Sequence, residues 1–130
     1  MEDRYLFKAK DCNSIWRAGL LIGLQEGRCA IEEKDGSKWA CNSKTICQCT
    51  GLKDKNGNKI WENDIVEIGE HEDIVNGLYK VIYCENSHCY ALERSADFHY
   101  NFFTFSDLNG FETSSKVIGN IFDNPELINE

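Results

Sequence analysis

The sequence lacks the features that membrane, secreted and nucleotide-dependent proteins need. None of its apolar runs approaches the roughly 20 residues of a membrane span. The first residues, Met-Glu-Asp-Arg, are acidic and lack the basic start and apolar core of a secretory signal. A P-loop and a glycine-rich dinucleotide fingerprint are also absent. We therefore expect a cytoplasmic protein with no membrane segment and no cofactor.

Paired Cys-x-x-Cys motifs are missing, although the chain holds seven cysteines. An odd number without a secretory signal argues against a disulfide scaffold and favours reduced thiols. Two groups offer the ligands that zinc accepts, namely Cys84, His88 and Cys89, and Cys41, Cys47 and Cys49. Their spacing is irregular, and several lie in apparent strands, where cysteine serves as a small apolar residue. We expect no bound metal.

Basic residues are scarce in the second half of the chain. The net charge is −8, and residues 71–130 hold three Lys/Arg against ten Asp/Glu, whereas residues 1–50 hold eight against seven. No Lys or Arg occurs between Arg94 and Lys116, a stretch that includes the aromatic-rich residues 99–105. Because phosphate backbones are bound by Lys and Arg, nucleic-acid binding by this half is disfavoured.

Helical periodicity is scarce too, and short strands separated by turn residues predict an all-β protein. We expect strands at residues 4–10, 15–24, 28–33, 38–41, 44–49, 60–68, 78–84, 89–93, 101–105 and 116–122. Gly19 and Gly23 inside the second strand indicate a bulge or a close backbone approach. Asn124 and Pro125 predict one short helical turn near the end of the chain. We find neither an internal repeat nor a Pro/Ser-rich linker.

The stretch Thr50 to Ile68 carries the most structural information. Gly51 is expected to end one strand, and Asn56-Gly57 predicts a primed hairpin turn, because both residues tolerate positive φ. The β-branched run that follows predicts a strand. If that strand is regular, Glu62 and Asp64 lie on one side of it. Such a pair could serve acid–base or metal chemistry, but capping of turns is the favoured interpretation.

Two segments together resemble the signature of the YopX family of small phage and prophage proteins. They are Thr-Gly-Leu-Lys-Asp-Lys-Asn-Gly with Ile-Trp-Glu-Asn-Asp-Ile-Val at residues 50–66, and Val-Ile-Gly-Asn-Ile-Phe-Asp-Asn-Pro-Glu-Leu at 117–127. Asn63 replaces the usual glycine and Cys49 the usual aromatic residue. Asn also tolerates left-handed backbone, so the turn is retained. The resemblance implies a β-rich fold with an SH3-like barrel and a phage context, without an agreed activity or catalytic residues.

Together these features predict an all-β fold in two lobes. We expect an N-terminal β-meander, residues 1–50, packed on an SH3-like barrel, residues 51–130. We expect no catalysis, since the pairs that Cys84 and Cys89 could form with His88 and His99 are no better than background.

The leading functional hypothesis is a phage or prophage accessory protein that binds a host or phage protein in the bacterial cytoplasm. A sharper version is an inhibitor whose acidic surface mimics the phosphates of a nucleic acid. The candidate contact residues are Trp61, Glu62, Asp64, Glu70, Glu72 and Asp73.

An alternative is a nucleic-acid-binding SH3-like barrel. That reading predicts a basic stripe formed by Lys8, Lys10, Lys53, Lys55 and Lys59. Exposed strand edges and aromatic side chains also favour self-association into a homo-oligomer.

Overall fold

A computed structural model describes residues 5–69, 77–85, 89–94, 101–104 and 114–128. Two sheets, each antiparallel, contain the strands of these ranges, and the 3-10 segments are single turns at Ser43–Thr45 and Pro125–Leu127. The all-β prediction is therefore confirmed. Among the described residues, no helix is long and apolar enough to cross a membrane. The chain folds into two compact units, Met1–Gly51 and Leu52–Glu130.

The first unit begins with a meander of four strands. They are β1 (Phe7–Lys10), β2 (Trp16–Gln25), β3 (Arg28–Glu32) and β4 (Lys38–Asn42). A fifth strand, β5 (Cys47–Lys53), returns to the free side of β1, which gives the order β4-β3-β2-β1-β5. The N-terminal lobe is thus more than the simple meander that the sequence predicts.

A 3-10 turn redirects the chain between β4 and β5, where the sequence predicts a strand from residue 44. The Asn42 side chain accepts a hydrogen bond from the Lys44 backbone N–H at 2.9 Å and thereby caps this turn. The Thr45 hydroxyl then accepts a bond of 2.8 Å from the backbone N–H of Lys10, at the end of β1. These local polar contacts bring β5 beside β1.

The two glycines of β2 lie in different local structures. A Cβ atom at Gly19 would overlap the backbone carbonyl oxygen of Glu32, so glycine allows a close approach of backbone. The pairing of β2 with β3 shifts by one residue between Leu21 and Gly23, which makes Ile22 the extra residue of a bulge. The sequence prediction of a bulge or close approach is confirmed, since both occur.

Small and apolar side chains fill the core of the first unit. Ala9, Cys29, Ile31 and Cys41 are buried, and Phe7, Leu21, Trp39 and Ile46 pack against them. Burial, with smaller contributions from Cys29 and Asp11, raises the pKa of the Cys41 thiol to about 11. Cysteines 29 and 41 therefore serve as small apolar core residues.

The second unit contains a short strand, β6 (Lys59–Trp61), which is next to β5 in the strand order, and a second sheet. Its strands are β7 (Asp64–Ile68), β8 (Gly77–Cys84), β9 (Cys89–Arg94), β10 (Asn101–Thr104) and β11 (Ser115–Asn120). Here too the last strand returns beside the first, in the order β10-β9-β8-β7-β11. The two units share this order although the sequence shows no repeat.

Apolar residues from several of these strands form the core of the second unit. Ile60, Val66, Ile68, Tyr79, Val81 and Leu92 are buried, and Leu52, Tyr90 and Val117 pack against them. The run predicted as one strand over residues 60–68 is interrupted: β6 ends at Trp61 and β7 begins at Asp64. The predicted turn at residues 107–110 lies outside the described residues.

Candidate functional site

The hairpin between β5 and β6 is held by one buried carboxylate. Asp54 is 4% exposed, and its Oδ1 atom accepts hydrogen bonds from the backbone N–H groups of Asn56 at 2.9 Å and Asn58 at 2.8 Å. Only Gly57 of the Asn-Gly pair has positive φ, at 82°, so the predicted primed turn is wrong. The Asp54 side chain stabilises a different turn, closed by the Gly57 N–H and the Asp54 carbonyl at 3.0 Å. Gly51 also departs from expectation, because β5 continues through it with φ of 87°.

The same carboxylate joins the two signature segments. Its Oδ2 atom accepts a 2.9 Å hydrogen bond from the backbone N–H of Val117 in β11. Burial opposes the charge, but the bonds from Val117, Asn58 and Asn56 outweigh burial and hold the pKa of Asp54 below its usual value. The Ile121 N–H adds a bond of 3.0 Å to the carbonyl of Asn63. The signature segments, far apart in sequence, are thus neighbours in space.

A tight turn between β6 and β7 determines the positions of the paired carboxylates. Asn63 occupies the left-handed region with φ of 72°, as its tolerance of that region predicts. The Asp64 carboxylate, 2% exposed, accepts a 2.7 Å hydrogen bond from the Trp61 backbone N–H. Glu62 lies in the turn itself. The premise of a regular strand with both carboxylates on one side is therefore wrong, because the turn at Glu62 and Asn63 interrupts it.

The candidate contact surface is only partly within the described residues. Trp61 and Glu62 are half-buried and Asp64 is buried, whereas Glu70, Glu72 and Asp73 lie outside the described residues. The structure thus assigns the Asp64 carboxylate to the turn.

The C-terminal signature segment also places its polar groups on backbone. The Asn120 side chain accepts hydrogen bonds from the N–H groups of Phe122 at 3.0 Å and Asp123 at 2.9 Å. A Cβ atom at Gly119 would lie 2.5 Å from the Asn124 side chain, so a larger residue there would displace Asn124. The predicted helical turn is present at Pro125–Leu127, but the side chain of Asn124 makes no capping bond to it.

The residues that sequence analysis considered for zinc or nucleophilic chemistry are only partly described. His88 and His99 lie outside the described residues. Cys41, Cys47 and Cys49 are buried. In the described part of the chain, no three His, Cys, Asp or Glu side chains form a group that could hold a metal ion.

The predicted basic stripe involves two different environments. In the first unit, the Nζ atoms of Lys8 and Lys10 lie 4.5 and 5.3 Å from the ring centroid of Trp16, which is cation–π distance. In the second unit, Lys53, Lys55 and Lys59 are exposed on the β5–β6 hairpin.

An exposed apolar surface lies in the middle of β2, and the sequence patterns do not predict it. Leu20 and Ile22 are 51% and 46% exposed, and we call these two residues the β2 apolar cluster. Leu24 is 64% exposed, but it pairs with Cys29, whereas Leu20 pairs with Glu32, so the two leucines lie on opposite faces of the sheet. The run Leu-Leu-Ile-Gly-Leu has the composition of a buried strand. Its one sequence signal for an irregular strand is Gly23, which indicates a bulge or a close backbone approach. A groove of about 460 Å³ lies beside the cluster, lined by Gly23, Leu24, Gln25, Arg28, Cys29, Ala30 and Ala40.

Comparison with known proteins identifies the family. No curated protein sequence matches the chain. A crystal structure of protein EF1440 from Enterococcus faecalis is similar, with a TM-score of 0.50 and 24% identity over 95% of this chain and 96% of that chain, which supports the fold alone. The family model described as YopX protein matches residues 6–129, nearly the whole chain and both signature segments. The chain therefore belongs to the YopX family.

Proposed function

We propose that this protein is a non-catalytic accessory protein of a phage or prophage that binds a host or phage protein in the bacterial cytoplasm. The contact surface in this proposal is the β2 apolar cluster of the first unit. The proposal includes an SH3-like barrel for the second unit, supported by the return of β11 to the side of β7. Such barrels serve many unrelated functions, so the proposal depends on the exposed β2 apolar cluster and not on the barrel.

The observation that carries the proposal is the exposure of the β2 apolar cluster. A single exposed leucine is ordinary on a protein surface. Leu20 and Ile22, however, lie close together in one strand, and each is close to half exposed. Grouped apolar side chains of this kind mark interaction surfaces, because burying them against a partner removes apolar area from water.

The polar signature residues support a structural role for the family motifs. Asp54, Asp64 and Asn120 direct their side-chain oxygens to backbone N–H groups. These bonds stabilise turns and join β11 to the hairpin, which accounts for the motifs without a reaction. The burial of Asp64 also favours the first unit over the acidic surface as the place of contact.

Photo-crosslinking followed by reconstitution tests the proposal. A photoreactive amino acid at Ile22 should crosslink a specific protein in bacterial cells that produce the chain, and the same group at Lys34, exposed in the β3–β4 turn, should not. The identified partner is then purified and titrated. Leu20→Ser with Ile22→Ser should weaken its binding about 30-fold, because roughly half of each side chain becomes buried on binding.

The matched control is Tyr5→Ser with Ile15→Ser, which removes two other exposed apolar side chains of the same unit. This control should bind like the wild type. Equal weakening by both pairs, or no saturable binding by the purified partner, would refute the proposal. A gel shift with DNA at low salt that Lys8→Ala and Lys10→Ala abolish would instead support the nucleic-acid alternative.

A further inference from the structure

We infer that the groove beside the β2 apolar cluster receives an apolar side chain flanked by carboxylates, presented by an extended segment of the partner protein. The inference rests on the proposed protein-binding function and specifies the chemistry of the partner. Three observations carry it: the groove's shape, the apolar atoms that line it and the exposed Arg28, which makes no ion pair with a described residue.

The strand register explains why the sheet is concave here. Gly23 of β2 pairs with Ala30 of β3, and Ala30 pairs with Ala40 of β4. Directly paired residues lie on the same face of a sheet, so this row has nothing larger than a methyl group. Longer side chains stand on both sides of the row, Glu32 and Lys38 on one and Arg28 and Asn42 on the other. The result is a groove of about 460 Å³ with a flat apolar floor.

The size and lining of the groove suit a peptide side chain. Its volume is within the range of about 300 to 1,000 Å³ that is typical of ligand sites. Gly23, Ala30 and Ala40 form its floor, so an apolar side chain entering the groove would cover the carbon atoms of these three residues. A polar side chain in the groove would lose its hydrogen bonds to water and would find no polar partner among these carbon atoms.

The charges around the groove select the neighbours of that side chain. Glu32 and Lys38 are directly opposite each other, which balances the charge on one side. On the other side, Arg28 is exposed and faces the neutral Asn42 and Gln25. Arg28 makes no ion pair with any residue that the structure describes. A partner carboxylate would therefore find an available guanidinium, which binds carboxylates through paired N–H groups.

Two short peptides provide the test in nuclear magnetic resonance titrations of the full chain. One is acetyl-Gly-Glu-Leu-Glu-Gly-amide and the other has Lys in place of both Glu residues. Titration extends to about 10 mM, because one apolar side chain and one ion pair give only millimolar affinity. The acidic peptide should shift the amide resonances of Gly23, Arg28 and Ala30, and the basic peptide should not.

Four variants locate the effect. Arg28→Glu should lower the affinity for the acidic peptide about tenfold or more and create a response to the basic one. Lys34→Glu makes the same charge change outside the groove and should leave both responses unchanged. Ala40→Leu, at an exposed position of the floor, should abolish the response to the acidic peptide. Ala18→Leu, at an exposed alanine outside the groove lining, should not.

Several outcomes would overturn the inference. Equal responses to the two peptides, shifts confined to other residues, or no response at about 10 mM would each do so. Groove resonances that move with protein concentration alone would identify a second copy of the chain as the occupant.

The outcomes for the groove and for the proposed function are distinguishable. If a crosslinked partner binds the Arg28→Glu protein normally, the groove assignment fails and the function stands. If no partner is crosslinked but the acidic peptide binds, the proposed function fails and the groove assignment stands.

Discussion

Replacing Asp54 tests whether one carboxylate holds the two signature segments together. Asp54→Ala removes the acceptor of hydrogen bonds from the backbone of Asn56, Asn58 and Val117. Hydrogen bonds to a charged group contribute about 1.5 to 3 kcal/mol each to the free energy of unfolding. In the variant, water can form replacement hydrogen bonds with the N–H groups of the exposed turn residues, so part of this stabilisation is retained. We expect the free energy of unfolding to fall by about 3 kcal/mol, which lowers the melting temperature by about 10 °C.

The matched control is Asp35→Ala in the β3–β4 hairpin. Asp35 also begins a turn, where its side chain accepts a 2.9 Å hydrogen bond from the Ser37 N–H, but it is exposed and makes no bond to a distant strand among the described residues. Urea and thermal unfolding should show a nearly unchanged midpoint for Asp35→Ala. If the two variants lost equal stability, the bond from Asp54 to β11 would contribute nothing, and the reasoning would be refuted.

The same carboxylate predicts a pH dependence. The hydrogen bonds lower the pKa of Asp54 in the folded protein below the value of about 4 in an unfolded chain. Its contribution is therefore fully present above about pH 4 and is lost as the pH falls through the folded pKa. The stability difference between the wild type and Asp54→Asn should be constant from about pH 5 to 8 and shrink below about pH 4. A difference that stays the same down to about pH 2 would contradict this assignment.

Two further predictions concern the first unit. Gly19→Ala should lower the free energy of unfolding by about 2 kcal/mol, because the added methyl group would overlap the Glu32 carbonyl. Gly23→Ala should change the free energy of unfolding by less than about 0.5 kcal/mol, because its methyl group would make an ordinary 3.6 Å contact with Ala30. Urea unfolding distinguishes them, and similar losses would show that the backbone approach at Gly19 is unimportant. Iodoacetamide should label the exposed Cys12 in the native protein long before Cys41, whose burial raises its pKa to about 11. Peptide mass spectrometry gives the order, and early labelling of Cys41 would mean that the core of the first unit opens readily.

Local sequence patterns were sufficient for much of the secondary structure. Alternating apolar residues and turn clusters placed the strands β2, β3, β4, β8 and β9 within a few residues, because each pattern depends on neighbours in sequence. The tolerance of Asn63 for left-handed backbone likewise predicted its φ of 72°. The primed turn was predicted wrongly because the Asp54 side chain, which accepts hydrogen bonds from the Asn56 and Asn58 backbone, stabilises a different turn. The bond from Val117 to the same carboxylate could not be predicted, because its two residues are far apart in sequence.

By itself, the sequence determined that the chain is all-β, which family it belongs to and where most strands and turns occur. Only the tertiary structure decided that β5 and β11 return beside β1 and β7, that Asp64 is turned inward and that Leu20, Ile22 and Leu24 are exposed. The physical reason is that strand formation depends mainly on the local alternation of side chains. Strand order, burial and exposure depend on which distant segments pair. The sequence of an apolar run does not show whether another part of the chain covers it.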